Sequence, residues 1–280
     1  MAHLGENRYG KSRVRVMKVV RHETHHEMKE WNVRLLLHGD FETCFTEADN
    51  GKILPTDTMK NTVYWLARES QAATPETFGI ELAEYLLANN SQVTKASVEI
   101  EEKSWEQLIV EGAAHPTTYK MGGPEVQTAS VVIARGSEPQ VSGGIDGLMI
   151  LKTTKSAFVG YIKDKLTTLP ESTDRIFGTR ATVSWDFSEP VSDFEETRGQ
   201  VLTALLKVFA EHDSLSVQHT LYDMAEAALA AAPAISKIKL TMPNLHCLLV
   251  DLSRFGQENP NQIFVPTDEP HGYIEAVIER

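Results

Sequence analysis

The feature that most restricts what this chain can become is that its strand and helix signals occur twice, in the same order. Near the start, Val14, Val16 and Val20 share one face of segment 12–20, and Trp31, Val33, Leu35 and Leu37 alternate with Asn32, Arg34, Leu36 and His38. A period of two marks a half-buried strand, and the polar segment 21–29 joins the two runs as a hairpin. Helical spacing follows. A short helix is predicted over residues 59–68, then a longer one opened by the Thr74–Pro75 cap pair and striped by Phe78, Leu82 and Leu86. Strand alternation returns at 96–100 and 126–134. The second half predicts strands at 145–152 and 179–187, then a helix after Ser192, read as a capping box with Glu195 and striped by Val201, Leu205 and Phe209. A second helix over 216–231 stops before Pro233, and strands follow at 235–241, 247–252 and 273–278.

Each half therefore reads ββααββ, an α+β pattern without the strand–helix alternation that a parallel sheet requires. The expectation is two tandem units, residues 1–139 and 140–280, divided in the Gly-, Pro- and Ser-rich segment 137–144. Each unit should be an antiparallel sheet with helices on one face. Such a sheet leaves its other face and its edges uncovered, and closing several of them into a barrel by oligomerisation removes both liabilities.

Composition narrows the function classes. The net charge of −12 over 280 residues disfavours phosphate-backbone binding, so no nucleic-acid partner is expected. No window approaches the roughly twenty apolar residues that cross a bilayer, so no membrane partner is expected either. Residues 1–15 carry no signal-peptide core, and Ile278-Glu279-Arg280 is not a peroxisomal address. With only Cys44 and Cys247 and no sign of pairing, the reading is a cytoplasmic protein with free thiols. No phosphate loop, dinucleotide fingerprint or zinc spacing occurs. His22, His25 and His26 cluster, but the expectation there is a solvated hairpin connection, with no metal and no cofactor.

Several separated segments carry a resemblance. They include Asn7-Arg8-Tyr9-Gly10-Lys11, then Pro55-Thr56-Asp57-Thr58-Met59-Lys60-Asn61-Thr62, and Leu151-Lys152-Thr153-Thr154-Lys155-Ser156-Ala157-Phe158. Thr173-Asp174-Arg175-Ile176, Ser216-Val217-Gln218-His219-Thr220, Met242-Pro243-Asn244-Leu245-His246 and Glu269-Pro270-His271-Gly272 continue it to near the end of the chain. In order and together, these segments resemble the urate oxidase family. The resemblance implies the tunnelling fold, two ββααββ units per chain in a homotetramer, and a cofactor-independent reaction. Urate, O2 and water would give 5-hydroxyisourate and hydrogen peroxide.

The same resemblance assigns roles. Arg175 and Gln218 match the pair that clamps the purine, Phe158 the ring stacked on it, and Val217 a backbone N–H donor. A guanidinium fork suits a urate anion, and an amide can both donate to and accept from the pyrimidine edge. Lys11 and Thr56 match a catalytic dyad, with His246 as a third member, and Asn244 matches the residue that holds O2 and then water. Thr56 and Asp57 match residues given to a neighbouring subunit, which puts the active sites at interfaces.

Each position also has a plainer reading: Lys11 as a surface lysine, Thr56 and Asp57 as an N-cap pair, Arg175 as a surface ion pair, Phe158 as core. Departures from the family pattern are Leu245 for the usual Lys, Leu166 for an aromatic, Thr117 for a second His, and Gly178 after the Arg175 run. Two rivals stand beside this reading: a tunnelling-fold protein acting on another purine or a pterin, and a non-catalytic or weakly active purine-binding homologue.

Overall fold

A computed structural model describes residues 2–189 and 191–280. The chain divides into two compact units, Met1–Ile145 and Asp146–Arg280, and the division falls inside a strand.

In the first unit, strands β1 (Tyr9–Arg21) and β2 (His26–Gly39) form an antiparallel hairpin, with α1 (Glu42–Thr46), α2 (Thr56–Glu69) and α3 (Pro75–Asn89) following. Strands β3 (Val93–Val110) and β4 (Ala113–Ala134) complete the sheet in the order β1-β2-β3-β4, with β1 paired on one side only. The alternation of Trp31, Val33, Leu35 and Leu37 is realised, and all four are buried. They pack with Met59 and Val63 of α2 and Phe78, Leu82 and Leu86 of α3, and the Trp31 ring stacks on Phe78 with centroids 4.7 Å apart. Gly79 lets α3 lie close to the sheet, because a Cβ there would come within 2.9 Å of the Val131 side chain.

In the second unit, β5 (Gln140–Lys152), which begins before the division, leads to β6 (Phe177–Phe187), α4 (Phe194–Glu211), α5 (Val217–Ala231) and β7 (Ile235–Thr241). Strands β8 (Asn244–Leu249), β9 (Phe264–Gly272) and β10 (Glu275–Glu279) follow. The sheet order is β5-β6-β7-β10, with β8 joined to β6 and β9, and β10 paired on one side only. Ala181, Val183 and Trp185 alternate inward, and Val201, Leu205 and Phe209 form the buried stripe of α4. The sheet is not closed within the chain.

Several expectations need correction. The first hairpin turns over residues 22–25 rather than 21–29, since Arg21 and His26 still pair; Val20 is exposed because the strand runs past the core. Helix α2 begins at Thr56 rather than residue 59. The cap of α4 is Asp193, whose carboxylate accepts from Glu196 N–H at 2.9 Å; Ser192 lies one residue too early. Helix α1 and strand β9 were not anticipated, and β8 starts at Asn244 rather than at 247. No described helix is long and apolar enough to cross a membrane.

Candidate active site

The first unit positions Lys11, Thr56 and Asp57. Strand β1 approaches β2 so closely at Gly10 that a Cβ there would sit 1.9 Å from the Leu35 carbonyl oxygen. Just beyond it the register slips. Lys11 pairs with Leu35, but Val14 pairs with Val33, and Arg13 takes φ +58°. This is a β-bulge, one extra residue on β1. Cross-strand partners share a face, and Leu35, Leu37 and Val33 all face the helices. The bulge therefore puts Tyr9 and Lys11 on the same helix-covered face as Val14 and Val16.

On that face, Tyr9 holds the segment that leads into α2. Its hydroxyl donates to the Leu54 carbonyl (3.1 Å) and accepts from Leu54 N–H (2.8 Å), while its ring meets Phe41 edge-on. Leu54 is two residues from Thr56, so β1 is tied to the start of α2 at the point where Lys11 follows. Pro55 occupies the cap and Thr56 is the first helical residue, half-buried, so the plain reading of Thr56 as the side-chain cap does not hold. Asp57 is exposed. Its carboxyl is held below the usual range first by the hydrogen bond from Lys60, then by the Lys60 charge, by Asn61 (3.2 Å) and by the nearby Lys11 ammonium. Lys11, Thr56 and Asp57 are thus brought together.

The second unit gathers Phe158, Arg175, Val217 and Gln218. Phe158 is pinned in a loop by reciprocal backbone hydrogen bonds with Ser172, 2.8 and 3.2 Å long. Tyr161 stacks on its ring (4.8 Å, 13°), and the Arg175 guanidinium lies 5.4 Å from the ring centroid. Asp174 fixes the backbone beside Arg175 by accepting from Thr154 (2.8 Å). Arg175 is partly buried, burial lowers its pKa, and it forms no ion pair among the described residues. The surface-ion-pair reading therefore fails.

The same loop is fastened to the start of α5. Ala157 N–H donates to Ser214 O (2.7 Å) and Ser214 N–H to Lys155 O (2.9 Å). The buried Ser214 hydroxyl accepts from Thr220 of α5 (2.7 Å). Ser216 caps α5 by accepting from His219 N–H at 3.1 Å. Val217, buried, and Gln218, exposed, form its first turn. Because the first turn of a helix has unused N–H groups, Val217 N–H is free to meet a ligand. The Gln218 amide makes no hydrogen bond among the described residues.

Asn244 and His246 lie on β8, opposite Gly272 and Thr267 of β9. No contact joins either side chain to Phe158 or Arg175 among the described residues. Between them, Leu245 pairs with Gly178 of β6, so two of the departures noted in the sequence are neighbours. A Cβ at Gly178 would stand 3.4 Å from the Leu151 side chain, an ordinary contact.

Three positioning residues were missed in the sequence. Tyr9 and Ser214 act through long-range hydrogen bonds that no local pattern signals. The Lys152 ammonium donates to the carbonyls of Phe209 (3.2 Å) and His212, capping α4 just before the Phe158 loop begins. A run of polar residues bounding an aromatic, 152–158, was the one available hint.

The family model described as Uricase matches residues 7–132 and 141–275. A uricase from Arthrobacter globiformis is 41% identical over 277 residues, covering 99% of this chain and 90% of the relative. A uricase from Dictyostelium discoideum is 36% identical over 282 residues, covering 100% and 98%. The crystal structure of the Arthrobacter globiformis protein superposes with a TM-score of 0.94, covering 100% of this chain and 96% of that one.

Proposed function

Because this chain belongs to the uricase family, we propose that it oxidises urate with O2 and water to 5-hydroxyisourate and hydrogen peroxide, needing no cofactor. The observation that carries the reading is Arg175, a partly buried guanidinium with no carboxylate partner among the described residues, set beside the Phe158 ring. A buried cation left unpaired is costly unless a ligand anion completes it. A planar anion that stacks on Phe158 while pairing with Arg175 is what urate offers. Gln218 and Val217 N–H then hold its remaining edge.

In this reading Lys11 and Thr56 form the proton relay, His246 supports it, and Asn244 holds O2 and later the attacking water. The urate anion is electron-rich enough to reduce O2 itself, so the protein need only orient the ring and accept a proton. The chain, read as two tunnelling-fold units, 1–139 and 140–280, works as a cytoplasmic homotetramer in which sheets close into a barrel by oligomerisation. Thr56 and Asp57 of one subunit complete the Phe158–Arg175 pocket of another. The unpaired edges of β1 and β10 support that assembly.

Two measurements test it. Chelator-treated protein should consume urate, followed by its absorbance, and release peroxide; activity that returns only with an added metal or flavin overturns the cofactor-independent part. Inactive Thr56→Ala and Arg175→Ala chains, unfolded and reassembled together, should regain activity. Mixed oligomers that stay inactive refute the shared site.

A further inference from the structure

Two groups of three potential metal ligands occur among the described residues. His22, His25 and Glu27 are all exposed at the β1–β2 turn, where the two imidazole rings stack (4.5 Å) and the Glu27 carboxylate already lies 2.9 Å from His22 Nε2. The second group stands where α4 ends and α5 begins, and it is built differently.

We propose that His212, His219 and Asp223 form a binding site for one divalent transition-metal ion of the zinc class. His219 and Asp223 are four residues apart, hence on one face of α5, and His212 is the C-cap of α4. The ligand atoms all lie within 4.8 Å of one another. Asp223 Oδ2 is 3.0 Å from His212 Nδ1 and 3.7 Å from His219 Nε2. Ligand atoms around a tetrahedral zinc stand about 3.3 Å apart, given metal–ligand lengths near 2.0–2.2 Å. The two separations bracket that value, so small side-chain rotations close the site. At 3.7 Å, moreover, His219 is too far from the carboxylate for a hydrogen bond. It faces the shared oxygen without being held by it.

The scaffold is set before any ion arrives. The Lys152 ammonium grips the His212 carbonyl, His212 N–H donates to Val208 O (2.9 Å), and Ser216 caps His219 N–H. The His212 side chain keeps 14% of its surface exposed, against 44% for His219, so one ligand is fixed and one gives access. Two imidazoles and one carboxylate suit zinc, cobalt or nickel; calcium and magnesium prefer oxygen-only sites. Three protein ligands leave a position for water.

Such an ion would fasten the end of α4 to the second turn of α5, directly after Val217 and Gln218. Its role is to stiffen that corner, and the proposed urate chemistry does not pass through it. Binding is read directly, so the result stands apart from turnover. Full-length, chelator-treated protein is titrated with Co2+, whose visible absorption reports a tetrahedral nitrogen–oxygen site, and then with Zn2+ as competitor. The expected result is one Co2+ per chain, displaced by Zn2+, with a rise in Tm. His219→Ala and Asp223→Asn should abolish the spectrum and the Tm rise, whereas His25→Ala should leave both intact. Both variants change exposed or half-exposed side chains, and an unaltered melt without metal confirms that they fold. No Co2+ spectrum in the wild-type protein overturns the proposal. So does a spectrum that survives His219→Ala, or one lost only in His25→Ala.

Discussion

Replacing Tyr9 by Phe keeps the ring that meets Phe41 and removes one oxygen. That oxygen satisfies both the N–H and the carbonyl of Leu54, at 2.8 and 3.1 Å, in a partly buried place. Leaving such groups unpaired costs about 1–3 kcal/mol. At roughly 2–4 °C per kcal/mol for a chain of this size, Tm should fall by about 2–12 °C. Catalysis should suffer separately. Leu54 precedes Thr56 by two residues, and its tether to β1 is what fixes Thr56 relative to Lys11. A misplacement near 1 Å costs on the order of 10²-fold in rate, so kcat should drop by about 10- to 100-fold. KM should move little, because Arg175 and Phe158 are fixed by other bonds. Steady-state urate consumption and calorimetry read the two effects. There is a pH signature as well. Burial raises the Tyr9 pKa, so its stability contribution is complete below the unfolded value near 10 and is lost as pH rises towards the higher folded value. Tyr9→Phe should flatten that alkaline decline. A variant with wild-type Tm and wild-type kcat would refute the tether.

Arg175→Ala should raise KM sharply, and Arg175→Lys should recover only part of the loss, since it restores charge without the planar fork; similar KM in all three proteins counts against an anion clamp. Lys152→Met should lower Tm by uncapping the Phe209 and His212 carbonyls, at about 1–3 kcal/mol; an unchanged melt would show that water replaces the amine. Glu30 is held below the usual carboxylate range first by the Lys103 hydrogen bond (2.6 Å), with Trp105 adding another (3.0 Å). Its contribution is present above the unfolded value near 4.3 and is lost as pH falls through the lower folded value. The acid limb of the stability curve should therefore be shallower in Glu30→Gln, and identical acid titrations would refute this.

The elements legible in the sequence were those whose side chains meet a core. Trp31, Val33, Leu35 and Leu37 revealed β2, and Val201, Leu205 and Phe209 revealed α4, because one buried face imposes a period. The outer parts of β3 and β4 lack that constraint. They are held by cross-strand pairs such as Lys120–Glu106 (2.6 Å) and by Trp105 on Glu30, which leave no hydrophobic rhythm to read. Strand β9 was hidden for another reason: it contains Pro266 and Pro270, and proline argues against a strand unless the strand is at an edge. At the candidate site, residue identities were legible through the family resemblance. Their supports were not: Tyr9 reaches 45 residues along the chain to Leu54, and such closure depends on the folded sheet.

The bulge in β1 is what lets an odd spacing put Lys11 and Val14 on one face. Side chains on a strand change sides with every residue, so residues three apart should face opposite ways, and the extra residue on β1 cancels that. Ironing the bulge out at constant residue count would slide the pairing before it by one place and turn both Tyr9 and Lys11 outward. Arg13 sits at φ +58°, a conformation that a β-branched residue resists, so Arg13→Val should lower activity while leaving Val14 and Val16 in the core. Deleting Ser12 restores plain alternation with Lys11 two places before Val14, so it should keep Tyr9 and Lys11 facing inward and should offset the loss in Arg13→Val.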